Sequence, residues 1–126
     1  MKDTFEKGID LFNEESFFEA HEIWEKQWRE TEDPGEKAFL QGMIMIAAAL
    51  HHYRRGEYAG TFRLLERGLS RIRDAGEVTQ GIDVGDFAKK VSVFYDRIKV
   101  PGTRAAESAF PPEFPKITKR TVHARE

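Results

Sequence analysis

The chain has no cysteine. Disulfides and thiolate metal sites are therefore excluded, and the absence fits a reducing compartment. It also has no apolar run of membrane-spanning length: the longest, Gly42 to Leu50, falls far short of the ~20 residues a bilayer requires. Its first residues, MKDTFEKGIDLF, are charged and lack the apolar stretch of an export signal. Neither sign of charge is in large excess. Lys and Arg number 20 against 22 Asp and Glu, and a formal charge of −2 speaks against a dedicated binder of nucleic acid or anionic membrane. A Gly-rich phosphate loop and a nucleophile elbow are missing. Strand-type alternation is nearly missing too. The expectation is a soluble, cytoplasmic chain of 126 residues, read as one helical domain over 1–126. Its helical core spans 1–100 and an extended tail 101–126.

Helical periodicity is what is there. Phe5, Ile9 and Phe12 mark a first helix over Asp3 to Asn13. A turn, Asn13-Glu14-Glu15-Ser16, follows, and Ser16 with Glu19 reads as a capping box for a second helix. Phe17, His21, Trp24 and Trp28 share one stripe of that helix. Asp33-Pro34-Gly35 lies in a loop from Thr31 to Gly35. A third helix, Glu36 to Arg55, is apolar on all sides in its middle, which predicts the central helix of a bundle. Gly56 ends it, with Arg54 and Arg55 in the last turn as the helix dipole favours. A fourth helix, Tyr58 to Ala75, turns Phe62, Leu65, Leu69 and Ile72 inward. Gly76 to Gly85 reads as a loop. Asp83 or Asp86 caps a fifth helix through Val100, with Phe87, Val91, Phe94 and Ile98 inward. Pro111, Pro112 and Pro115 keep the tail out of regular helix, so Phe110, Phe114 and Ile117 are expected to cross the bundle in extended form. The fold class is all-α: a compact array of about five helices built on two helical hairpins.

The two hairpins echo each other. Ser16-Phe17-Phe18-Glu19-Ala20 aligns with Gly56-Glu57-Tyr58-Ala59-Gly60 at an offset of forty residues. The second hairpin looks like a tetratricopeptide hairpin, but two such units fall short of the three or more that a solenoid needs.

The chemistry-bearing residues concentrate in FFEAHEIWEKQWR, from Phe17 to Arg29. His21 and Glu25 are four residues apart and share a helix face, with Glu22 about 100° further round. On the third helix Gln41, Met45, Ala48 and His52 form one stripe. Packing the two helices antiparallel would gather His21, Glu22, Glu25, Gln41 and His52, with Trp24 and Trp28 as an apolar wall. Imidazole beside carboxylates can hold a divalent metal or move protons. The spacing matches no established motif. His21-Glu22 opens like a zinc-protease signature, but Glu25 stands where its second His belongs. A di-iron bundle needs Glu three residues before the His, where Phe18 stands. The plainer reading is a buried network in which a carboxylate orients His21. No metal and no cofactor is assigned. His51 is expected in the core or at a hairpin contact, and His123 in the polar tail. Arg63, Arg67 and Arg71 fall on one line of the fourth helix. Glu57, Glu66 and Asp74 are interspersed and stacking aromatics are missing, so a solvated face is expected rather than a nucleic-acid site.

The runs LFNEESFFEAHEIWEKQWR and FLQGMIMIAAALHHYRRGEYAGTFRLLERGL resemble domain-of-unknown-function family 309 over Gly8 to Leu69. The matching features are Phe12-Asn13, the Glu19 to Glu25 core, Leu40-Gln41-Gly42, and His52 four residues before Gly56. The resemblance implies a compact helical array and no established activity. On sequence grounds the biochemical function is unknown. The favoured reading is a non-catalytic helical scaffold or interaction module whose partner is another protein or a second copy, with no membrane and no nucleic acid. The alternative is a small metal-assisted hydrolase using the His/Glu cluster between the second and third helices.

Overall fold

The computed structural model describes residues 2–76, 78–99 and 113–119. The fold is all-α, with helices α1 (Lys2–Asn13), α2 (Phe17–Glu30), α3 (Pro34–Arg54), α4 (Tyr58–Arg73) and α5 (Val84–Lys99). A two-stranded hairpin, β1 (Val78–Thr79) and β2 (Ile82–Asp83), stands between α4 and α5. The segment 76–85, read from sequence as a plain loop, is therefore a minimal antiparallel ribbon with Thr79 opposite Ile82. Its turn puts both Gln80 and Gly81 at positive φ, as a twist-matched hairpin turn requires. Two-residue strands are too short for alternation to register, so the periodicity missed them.

Local chemistry sets the helix ends. Asp33 caps α3 by accepting from the Glu36 amide at 2.9 Å, with Pro34 as the first helical residue. The connection from α2 is thus shorter than the loop expected from sequence. Asp83 caps α5 in the same way, accepting from the Asp86 amide at 2.9 Å. The Ser16 capping box does not form. Ser16 stands at the N-cap of α2 with ψ 68° and no side-chain hydrogen bond. Its amide closes α1 instead, donating to Leu11 O at 2.8 Å, with Glu15 left-handed at φ 67°. This is a Schellman closure, and it holds Ser16 away from the extended cap geometry. The α3–α4 junction repeats it: the Glu57 amide donates to His52 O at 2.9 Å and Gly56 has φ 80°. Ser16 thus matches Glu57, and Glu15 matches Gly56, one residue beyond the forty-residue offset.

The helices α2, α3 and α4 form one layer with α3 in the middle. On one side of that layer α1 and α5 meet through the Phe12 and Phe87 rings, 5.4 Å apart. Trp24 is fully buried there, stacked on Phe5, and its Nε1–H donates to Phe5 O at 3.2 Å. The segment 113–119 packs along the edge without helix, with one bridge from Lys119 to Ile82. Ile117 is buried and exchanges both backbone hydrogen bonds with the Asn13 side chain, at 2.8 and 3.0 Å. Phe114 sits among Phe17, Phe94 and Tyr53. Phe110 and His123 lie outside the described residues.

The sequence predicted all-round burial for the middle of α3. Gly42, Met43, Ile46, Ala47, Ala49 and Leu50 are buried, but Gln41, Ile44, Met45, Ala48 and His52 are half-exposed. Three sides of α3 are covered by α2, by α4 and by the α1–α5 side. Among the described residues nothing packs on the fourth.

At Gly42 and Gly68 the backbones of α3 and α4 approach closely. A Cβ on Gly42 would stand 3.0 Å from Gly68 O, and a Cβ on Gly68 would stand 2.9 Å from Gly42 O. Backbone cannot yield as a flexible side chain can. Gly68→Ala is therefore expected to lower unfolding free energy by about 1–3 kcal/mol through overpacking, despite a gain of roughly 1 kcal/mol in helix propensity. Gly60→Ala, whose Cβ meets open space, is expected to raise it by up to about 1 kcal/mol. Urea titration of both variants checks the contrast; equal effects would contradict it.

Candidate functional site

The candidate residues sit where the outward flank of α2 meets the exposed stripe of α3. Two contacts fix how the helices align. At one end the Lys37 ammonium lies 3.8 Å over the Trp28 ring and donates to Trp28 O at 2.8 Å. At the other end the Phe18 and His51 rings are 5.3 Å apart. Between these ends, His21, Glu22 and Glu25 project from α2.

His21 is the centre of this group. Its Nδ1 is 3.7 Å from a Glu22 carboxylate oxygen and its Nε2 is 3.9 Å from a Glu25 oxygen. Both separations exceed hydrogen-bond length. Nδ1 is buried and has no hydrogen-bond partner among the described residues. The orienting carboxylate of the network reading therefore makes no hydrogen bond here. The acids are not buried either: Glu22 is 56% and Glu25 41% exposed, whereas His21 is 22% exposed. Glu25 also faces Arg29 at 3.6 Å. One donor atom from each of His21, Glu22 and Glu25 lies within 4.8 Å of the others. A divalent ion with bonds of about 2.0–2.2 Å would draw them closer, which two exposed carboxylates can do by rotamer change.

His52 is engaged elsewhere. Its Nδ1–H donates to the Glu57 carboxylate at 2.6 Å, across the Gly56 turn. Arg55 Nε donates to the other Glu57 oxygen at 3.3 Å. The hydrogen bonds from His52 and Arg55 hold the Glu57 carboxyl below its usual range. Gln41 lies on the exposed stripe of α3, toward the opposite end. Trp24 faces α1, in the core. Trp28 is the aromatic on the outward side, under Lys37.

Sequence reasoning passed over two participants, Phe18 and Glu57; a third, His51, was expected in the core or at a hairpin contact and stands at one. Phe18 is 48% exposed and its ring lies 6.0 Å from His21 and 5.3 Å from His51. His51 and His52 rings are 6.1 Å apart, so His51 links the His21 group to the His52–Glu57 pair. The available signal for Glu57 was its place five residues after His52, where a Schellman turn folds the chain back. Phe18 carried no such signal, since its exposure depends on what α2 packs against.

Burial, aided by the Arg55 charge and then by His52, pushes the His51 pKa below the ordinary 6.5. The unfolded chain therefore binds a proton more readily than the fold does. This contribution to stability is complete above pH 6.5 and is lost as pH falls through the lower folded value. Between pH 7.5 and 5.5 the native chain is expected to lose stability, and His51→Gln to lose less. Denaturation midpoints at the two pH values check this; equal losses would contradict it.

Comparison with known proteins comes out as the motifs suggested. Residues 5–64 match the family model described as domain of unknown function (DUF309). The uncharacterized protein YpuF of Bacillus subtilis (strain 168) is 31% identical over 85 residues, covering 66% of this chain and 49% of the relative. The chain thus spans about half the length of that curated relative. The matched residues 5–64 take in most of α1, all of α2 and α3 and the start of α4, and so every residue of the candidate group. Neither description carries a biochemical activity. Among the described residues, no helix is long and apolar enough to cross a membrane.

Proposed function

We propose that this chain, which carries the resemblance to family 309 over residues 5–64, is a cytoplasmic, non-catalytic interaction module. In this reading a single helical domain docks a protein partner on the outward face of the α2–α3–α4 layer. One observation carries it. The exposed stripe of α3 offers Ile44, Met45 and Ala48, with the 48% exposed Phe18 on one flank and half-exposed Leu64 on the other, and among the described residues no element covers them. Clustered apolar side chains left open on one face of a helical layer are characteristic of a contact surface, and paired helices commonly recognise partners this way. A photo-cross-linking amino acid at Met45 is expected to yield a protein adduct. Ala48→Arg is expected to abolish that adduct with little change in melting temperature. No adduct at Met45, or an adduct that survives Ala48→Arg, would contradict the reading.

A second reading has its own observation. The convergence of His21, Glu22 and Glu25 donors within 4.8 Å supports a divalent-metal site, and three protein ligands would leave a position open for water, as metal-assisted hydrolysis requires. Titration calorimetry with Zn²⁺ or Mn²⁺ separates the two. Stoichiometric binding lost in His21→Ala supports the metal; absence of binding at millimolar ion removes it.

A further inference from the structure

We infer that the partner of the outward face is a second copy of this chain, docked with a twofold axis running alongside α3. This rests on the proposed docking role of that face. The argument comes from how charge is divided across it.

On one side of the α3 stripe, α2 presents Glu22 and Glu25, with Arg29 paired to Glu25 at 3.6 Å. On the other side, α4 presents Arg67 and Arg71, with Arg63 one turn further along. Among the described residues none of these three guanidinium groups makes an ion pair, hydrogen bond or ring contact. Arg71 is half-buried and its Nε is buried without a partner. Like charges at four-residue spacing repel one another, so the stripe is unfavourable until an anionic surface meets it. The solvated face expected from sequence accounts for Arg63 but not for the buried Nε of Arg71.

The two edges stand at the same height. On the α2 side, Trp28 lies beside Lys37 and Phe18 beside His51, which brings Glu22 and Glu25 level with the Gln41 to Met45 stretch. On the α4 side, a Cβ on Gly42 would meet Ile72, Arg71 and Gly68, and the Thr61 hydroxyl donates to Ala49 O. That brings Arg67 and Arg71 level with the same stretch. A twofold axis parallel to α3 preserves height and exchanges sides. It therefore lays Glu22 and Glu25 of each copy on Arg67 and Arg71 of the other, with Met45 and Ala48 meeting at the axis. An axis across the helices would instead set acid on acid and arginine on arginine, which like-charge repulsion rejects. The area is adequate. The 14 residues of α2 span roughly 20 Å, and three helices abreast about 30 Å. That is on the order of 600 Å² before side-chain relief, near the roughly 800 Å² per partner of a standard interface.

The charges are separable, which gives the test. Native mass spectrometry is expected to find dimers of the full chain at about 100 µM, weakening as salt rises. Arg67→Glu alone and Glu22→Arg alone are each expected to weaken the dimer by roughly tenfold or more. Mixing these two variants is expected to restore a mixed dimer, because both of its pairs between positions 22 and 67 are then opposite in sign. The double variant Arg67→Glu/Glu22→Arg is likewise expected to dimerise and serves as the folding control. A chain monomeric at that concentration, single variants that dimerise like the native chain, or a mixture that stays monomeric would overturn the inference. The Met45 cross-linker separates the two failures. An adduct of twice the chain mass supports the second copy. An adduct with a different protein overturns it and leaves the docking role standing. A cross-link within one chain, or none, overturns both.

Discussion

The approach of Gly42 to Gly68 is the constraint on which the rest of the structure depends. With no side chain at either position, the α3 and α4 backbones come close enough for each glycine to lean on the carbonyl of the other. That contact fixes the height of α4 along α3, and so decides which α4 residues flank the exposed stripe. It sends Leu65 and Ile72 into the core, leaves Leu64 and Arg67 outside, and wedges the Arg71 stem over Gly42. A second close approach does the same for the other hairpin. Gly8 of α1 lies so near the Trp24 indole that a Cβ there would overlap it at 2.1 Å. The indole ends up under α1, and the opposite flank of α2 is left to carry His21 and Glu25 outward. Close packing on one side of each pair thus dictates the composition of the other side.

Much of this was legible in the residues. Five helices, the central place of α3, the inward stripes of α4 and α5 and the terminating role of Gly56 all follow from periodicity and capping chemistry. The prolines forbid helix in the tail, and Phe114 and Ile117 are the apolar residues there that pack against the helices. What escaped detection was context. An apolar helix in sequence says that it is central, not how many neighbours it has. Met45 and Ala48 look like core residues and are half-exposed because α3 is covered on three sides. Ser16 carries the letters of a capping box, yet the Schellman closure of α1 claims its amide first.

The candidate group was legible in part and for the same reason. The i, i+4 spacing brings His21 and Glu25 to one face whatever surrounds them. The partner of His52 depends on the turn after α3, and Glu57 reaches it only because Gly56 adopts a left-handed conformation. Trp24 and Trp28 share a stripe by count, but the stripe is wide enough that one indole turns under α1 and the other toward Lys37. The stripe on α4 was visible as a line of arginines. Its meaning depended on the absence of partners for it among the described residues and on the matching acids standing level with it across α3.

These observations converge on a single surface: small and apolar along the centre, acidic on one flank and basic on the other, with the flanks in register. The most direct test uses the missing cysteines, since any introduced thiol is unique. Ala38, exposed near the start of α3, and Arg55, exposed at its end, can each be replaced by cysteine and spin-labelled. Pulsed dipolar spectroscopy then reads the distance between copies. A twofold axis alongside α3 requires short separations, within about 25 Å, at both ends of the helix, as parallel helices packed about 10 Å apart demand. Long separations at both ends, or no dipolar signal at concentrations where the chain associates, would contradict the account.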